Sequence, residues 1–296
     1  MTTTEARIDA ALLPQLCGIW HGRVEPPFAA ALPDWRARAA LAGRLAGEQL
    51  REACEAARFA PEAVLMASSI FGASFGGAAS AVEDFVEAVE RHSGLRPRGL
   101  LNAYQCAGWG FALRHLMRHT ALRRVVLLLV DVDLNHLEFT LEHPVVGRSG
   151  FGISTLLFEL PEGGEPPECG GPFANSGYAE MLMALRRRNQ GRARPLPVFI
   201  PFSRPQLHVT AQRVLGKEAL APNLYEHWGH CFGADPWIAM AARLASGGAA
   251  PPFPSRVLAG AVGYAGYCTV AEIALRPGLP SRITSLDGGQ LPPLTA

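Results

Sequence analysis

The sequence predicts a layered α/β protein made of two halves with similar grammar. Three observations lead there. Runs of β-branched and leucine residues, above all 125–132, are long enough for strands buried on both faces. Those runs alternate with segments of helical periodicity. The same alternation restarts beyond a Pro/Gly/Glu-rich stretch at 161–172, which places a boundary between 1–160 and 161–296.

The first thirty or so residues read as irregular, with Pro26 and Pro27 among them. Asp34 is placed to cap a helix over 35–58. A short apolar strand follows at 63–68, then a loop rich in Gly, Ser and Ala, then a second helix at 79–92. Residues 99–102 read as a strand. From Cys106 to about His119, small and apolar residues recur at helical spacing. After the strand at 125–132 the chain turns sharply at 147–152 into another buried strand, 153–160. The second half reads as helix 178–188, strand 198–201, helix 208–215, strand or loop 224–227, helix 236–244, and strands 257–262 and 269–275.

Composition sets the outer limits. Of 296 residues, 49% are hydrophobic and 18% charged, enough apolar material for a large core. A net charge of +1 leaves no electrostatic footprint for nucleic acid or an anionic membrane. The six cysteines lack any C-x-x-C pair and read as free thiols in a reducing cytoplasm. No signal-peptide pattern stands at the N-terminus, and the longest apolar run, 125–130, is too short to span a bilayer.

Cys106 is the candidate nucleophile. It lies between a predicted strand and a predicted helix and is followed by Ala107 and Gly108. A thiol at a helix N-terminus faces the positive end of the helix dipole, which favours the thiolate, and small neighbours let an acyl group approach. Taken alone, a cysteine in an Ala/Gly-rich helix is more often a packing residue.

The segment Leu101–Leu113, with its Cys106-Ala107-Gly108-Trp109, resembles the active-site segment of β-ketoacyl-acyl-carrier-protein synthase III and its thiolase-superfamily relatives. The turn Gly147-Arg148-Ser149-Gly150-Phe151-Gly152 is similar to that family's glycine-rich turn before a strand. The stretch Gly229-His230-Cys231-Phe232-Gly233-Ala234 resembles its Gly-Asn turn. Gly263-Tyr264-Ala265-Gly266 falls where a glycine-rich oxyanion loop is expected. The likeness runs in order from about residue 36 to 275. It implies a thiolase-like, five-layer α-β-α-β-α sandwich with mixed sheets, a dimer, and an acyl-Cys106 intermediate formed from an acyl-carrier-protein or coenzyme A thioester. The setting it implies is fatty-acid-like or polyketide biosynthesis, with no dissociable cofactor or metal. The oxyanion hole falls to the backbone amides of Cys106 and of Gly263 and Gly266.

The departures are informative. Enzymes of that family use a Cys-His-Asn set. Phe202 stands where the His is expected, and His230 stands in the Asn slot. His230 is therefore the candidate base, able to accept the thiol proton or to stabilise the thiolate as imidazolium. The stretch between 160 and 198 and the N-terminal part are short for the family. These departures keep a second reading open: a non-catalytic partner subunit, similar to a chain-length factor, in a heterodimer with a ketosynthase.

Other clusters have competing readings. His227, His230 and Cys231, with His208 or Asp235 as a fourth ligand, form a compact metal-ligand pattern, but His227 also reads as an exposed residue and Cys231 as packing under the turn. His208 reads as a polar residue opening its helix. Asp131 and Asp133 share a face at a strand end and read as solvating it. Arg186, Arg187, Arg188, Arg192 and Arg194 read as a solvated helix end, or as contacts for acidic or phosphate groups.

Overall fold

The greatest departure from these expectations comes early in the chain. Gln15–Val24, read as irregular, is a ten-residue strand (β1) buried along most of its length. Gly18, His21, Gly22 and Arg23 break any apolar alternation, yet the glycines are where neighbours close in. A Cβ on Gly22 would stand 2.4 Å from the Leu286 side chain. The computed structural model describes residues 9–32, 34–75, 79–137, 141–143, 147–174, 176–245 and 254–294. The glycine-rich stretch before the second long helix includes Gly76, Gly77 and Ala78, which lie outside the described residues.

The other elements follow the alternation closely. Helix α1 (Trp35–Ala57) is capped by Asp34, whose carboxylate accepts from Ala37 N at 2.8 Å. Then come β2 (Ala63–Ala67), the short α2 (Phe71–Phe75), α3 (Ala79–Ser93) and β3 (Pro97–Leu101). A 3-10 turn over Gln105–Ala107 leads into α4 (Gly108–His119), followed by β4 (Arg124–Asp131). A two-stranded ribbon of β5 (Glu142–His143) and β6 (Gly147–Arg148) precedes β7 (Phe151–Glu159). Then come β8 (Glu168–Gly170), α5 (Gly177–Asn189), β9 (Val198–Phe199) and α6 (Pro205–Leu215). Residues 224–227, open between strand and loop in the sequence, are instead the single helical turn α7 (Tyr225–Trp228). The chain ends with α8 (Asp235–Ala245), β10 (Arg256–Val262), β11 (Cys268–Leu275) and β12 (Ser281–Ser285), the last also unforeseen.

The strands run in the order β3-β2-β4-β7-β1-β11-β10-β9, with β12 added to β1 and β8 to β11. The first five form one mixed group: β2 pairs β3 and β4 in parallel, and β7 is antiparallel to both β4 and β1. The two groups expected as separate sheets are hydrogen-bonded at one end. Gln15 and Leu16 of β1 pair with Ala274 and Leu275 of β11.

Three buried clusters mark the layers. One packs α1 and α3 on the outer face of the first group, through residues such as Leu50, Phe85, Val126 and Leu128. Another packs α5 and α6 on β10 and β11, through Met181, Leu185 and Leu258. The largest lies between the two strand groups and is filled by α4 and α8. At its centre the indoles of Trp109 and Trp237 meet edge to face, with centroids 4.9 Å apart. Both are fully buried, and removing either ring should cost about 3–5 kcal/mol. The layers thus run helix, strand, helix, strand, helix, and the two innermost helices both begin at the candidate site.

Candidate active site

Cys106 is held by the backbone on either side of it. Gln105 adopts a left-handed conformation (φ 49°), uncommon for a residue with a side chain. Its Oε1 accepts a hydrogen bond from Ala265 N at 3.1 Å, and Ala107 N donates to Tyr104 O at 3.1 Å. This kink turns the chain from β3 into α4 and leaves Cys106 at the N-terminal end of the helical stretch, 3% exposed. The small residues after it serve close packing. A Cβ on Gly110 would lie 1.8 Å from Thr269 Oγ1 on β11.

His230 comes from the turn after α7. Gly229 has φ 71°, and a Cβ there would press 2.7 Å from Arg148 O. That close approach lets His230 N donate to Arg148 O at 2.7 Å while Gly150 N donates to His230 O at 2.9 Å. The histidine is thereby clamped to the 148–150 turn, and its Nε2 lies 3.6 Å from Cys106 Sγ.

A third member was not anticipated in this role. Asp235, the first residue of α8, places Oδ2 2.6 Å from His230 Nδ1. The Phe202 carbonyl lies 3.2 Å from the same nitrogen and is the better aligned with the ring N–H. Asp235 Oδ1 accepts from Cys231 N at 2.6 Å. Sequence reasoning weighed Asp235 only as a metal ligand, because the residues from His230 to Asp235 follow no helical or strand period. They pass through Phe232, itself left-handed at φ 55°, and a 3-10 turn. The available signal was an acid opening a helix that is apolar apart from Arg243.

All three side chains are buried, so their charges are strongly coupled. For His230, burial is the largest single influence and disfavours the imidazolium. The Asp235 charge and hydrogen bond, with smaller contributions from Cys106, outweigh it and hold the imidazole well above its ordinary value. Burial pushes the Asp235 carboxyl up, against the opposing pull of His230 and of the amides of Cys231 and Phe202.

The predicted oxyanion donors require correction. Gly263 N donates to Tyr267 O at 2.8 Å and Gly266 N to Gly263 O at 3.0 Å. Both amides are consumed by the tight turn between β10 and β11. The loop does reach the nucleophile's neighbour: a Cβ on Gly263 would stand 2.8 Å from Gln105 Oε1. Of the amides named from sequence, that of Cys106, at the start of its helical turn, is left as the candidate oxyanion donor.

Asp131 and Asp133 are also corrected, being 3% and 4% exposed rather than solvated. Asp131 accepts from Ser69 N at 2.6 Å and from the hydroxyls of Ser68 and Ser69. It thus pins the loop after β2, and burial raises its carboxyl to about 6. Asp133 accepts from the amides of Asn135 and Leu137. His227 is exposed, Cys231 is buried with its thiol directed at Trp228 O, and His208 lies in the first turn of α6. No group of three or more His, Cys, Asp or Glu residues is placed to hold a metal ion among the described residues. Several arginines expected in solvent are paired, Arg188 with Glu165 at 2.9 Å and Arg192 with the buried Glu272 at 2.7 Å.

Solved structures share this architecture over most of the chain. The 3-oxoacyl-(acyl carrier protein) synthase III FabH of Pseudomonas aeruginosa PAO1 is similar with a TM-score of 0.59 at 15% identity, over 89% of this chain and 98% of that one. The fold is thiolase-type. The priming β-ketosynthase of the R1128 polyketide pathway has a TM-score of 0.59 at 14% identity, over 92% and 98%. The acyltransferase ChlB3 has 0.59 at 13%, over 89% and 98%. No protein-family model matches the sequence, and no curated protein matches it. On this thiolase-type frame, the Cys-His-Asp arrangement differs from the Cys-His-Asn set that the sequence resemblance implied. No helix among the described residues is long and apolar enough to cross a membrane.

Proposed function

We propose that this protein is an acyltransferase that takes an acyl group from a coenzyme A or acyl-carrier-protein thioester onto Cys106. The observation that carries the reading is the approach of Cys106 Sγ to His230 Nε2 at 3.6 Å, with Asp235 behind the imidazole. Nucleophile, base and orienting carboxylate are the parts that thioester chemistry needs. The thiolate attacks the thioester carbonyl, and the Cys106 amide faces the oxyanion. As the tetrahedral intermediate collapses, the departing thiol takes its proton from Nε2. Acyl-Cys106 and neutral His230 remain, and neither a metal nor a dissociable cofactor takes part. The similar structures, which include a priming ketosynthase and an acyltransferase, support a place in lipid-like or polyketide assembly. A cytoplasmic homodimer, or a heterodimer with a ketosynthase-like subunit, belongs to the same reading.

Intact-protein mass spectrometry after incubation with acetyl-CoA and octanoyl-CoA tests it. The expected result is one acyl adduct on the wild type and none on Cys106→Ala. An adduct that survives that substitution overturns the site, and none on the wild type overturns the enzyme. The burial of Cys106, 3% exposed, favours a second reading, a non-catalytic partner of a ketosynthase. That reading predicts no adduct either alone or with the partner present.

A further inference from the structure

We infer that the C-terminal arm, residues 286–294, is a positioning strap for the turn that carries His230, and that it acts through the indole of Trp228. The expected effect on rate rests on the acyl-Cys106 reading; the contacts do not. After β11 the chain returns along β1, where Ser281–Ser285 of β12 pair in parallel with Ile19–Arg23. Leu286 then fills the space that Gly22 leaves open, and Asp287 Oδ2 accepts from Glu25 N at 2.7 Å. Gly288, Gly289 and Gln290 cross the surface exposed, Gly288 at φ 80°. Leu291 and Leu294 turn back onto the central cluster, and Pro293 O accepts from Trp228 Nε1 at 3.0 Å. No residue of the arm is fully buried, whereas the indole it reaches is. Helix α8, which opens with Asp235, packs on β12. The stretches carrying His230 and Asp235 therefore both lean on this last segment of chain.

Where Trp228 sits decides where His230 sits. One residue, Gly229, separates them, and Trp228 N closes the turn of α7 by donating to Leu224 O at 2.9 Å. Trp228 O fits where Gly150 lacks a side chain, since a Cβ there would stand 2.3 Å away. On the β1 side the ring lies under the Arg23 guanidinium, 5.1 Å from Cζ to centroid, and meets His21 edge to face at 5.8 Å. Such ring contacts tolerate sliding and rotation, whereas an N–H···O bond is directional. The bond to Pro293 O therefore fixes the heading of the indole. Without that carbonyl the buried N–H must turn toward water to find an acceptor, and α7 turns with it. Two residues on, Nε2 of His230 would then leave its place 3.6 Å from Cys106 Sγ.

The test compares the wild type, a chain shortened after Gln290, the variant Trp228→Phe, which keeps a ring but not the N–H, and the two changes combined. Circular dichroism reports the fold. Acylation of Cys106 by acetyl-CoA, followed by mass spectrometry, gives the maximal rate and the half-saturating concentration. Hydrogen exchange follows the amides of 148–150 and 229–235. The shortened chain should keep the wild-type spectrum. Its maximal acylation rate should fall by about tenfold or more, as displacement of a base by a fraction of an ångström to 1 Å does, with half-saturation within about twofold of wild type. The amides of 229–235 should exchange about tenfold faster or more, while those of α1 and α3 stay unchanged. Trp228→Phe should slow acylation in the same way, and the combination should lie within about twofold of the slower single variant, because both remove one contact. A wild-type maximal rate or wild-type exchange in the shortened chain overturns the inference. So does loss of the wild-type spectrum, which would make the arm part of the fold, or losses that multiply in the combination. No adduct on the wild type strikes the acyl-Cys106 reading instead, and hydrogen exchange then decides the strap by itself.

Discussion

Gly233 faces the backbone of Cys106 so closely that a Cβ on it would stand 3.3 Å from the cysteine carbonyl oxygen. The same Cβ would lie 3.5 Å from Ser69 Oγ. This bare position lets the turn carrying His230 sit against the nucleophile. Gly233→Ala asks the neighbours to give by a few tenths of an ångström, and Gly233→Val asks for more. Displacements near 1 Å can cost about 100-fold in rate. Gly233→Val should therefore acylate on the order of 100-fold more slowly, with its circular dichroism unchanged. A wild-type rate would show that this contact does not set the Cys106–His230 separation.

Gly110 and Thr269 are locked in a similar way. A Cβ at position 110 would overlap the threonine hydroxyl, 1.8 Å away, between α4 and β11. Gly110→Ala should lower stability by about 1–3 kcal/mol, as overpacking does. Adding Thr269→Ala removes two of the three obstructing atoms, Oγ1 at 1.8 Å and Cγ2 at 2.7 Å, and leaves Cβ at 2.6 Å, although it also removes the hydroxyl that meets Cys169 Sγ at 3.3 Å. The double variant should be more stable than Gly110→Ala alone, a coupling that urea denaturation would read directly. Additive losses would count against the contact.

His21 should make the protein acid-sensitive. It is buried on β1 with Nδ1 2.8 Å from Ser154 Oγ. Burial first, and the Arg23 charge second, push the imidazole down to about 3 from 6.5. Between those values the unfolded chain binds the proton and the folded one does not, so stability rises with pH. The stabilisation is complete above 6.5 and is lost as pH falls toward 3, by an amount on the order of 5 kcal/mol. His21→Gln should flatten the difference in stability between pH 7 and pH 5. An unchanged slope would assign the acid sensitivity elsewhere.

The elements that were legible in the sequence are those whose local pattern matches their burial. The run at 125–132 became β4, and the apolar period after Cys106 became α4, because a buried strand and a buried helix leave those signatures. Strand β1 left none, since its glycines and polar residues are accommodated by neighbours distant in sequence. At the site, Cys106 and His230 were readable from the order of short motifs. Asp235 was not, because its relation to His230 depends on a left-handed Phe232. Gly263 and Gly266 were read as an oxyanion loop, but sequence does not show that a turn this tight uses its own amides.

The central pair of indoles has a consequence for when the thiol becomes reactive. Trp109 lies three residues after Cys106, and Trp237 two residues after Asp235, so their contact holds together stretches of chain that are far apart in sequence. Cys106 and His230 themselves are separated by 124 positions. A nascent or partly unfolded chain carries the cysteine but has no base beside it. Chemistry is thereby licensed by completion of the core, and the alkylation of Cys106 can serve as a clock for the last stage of assembly.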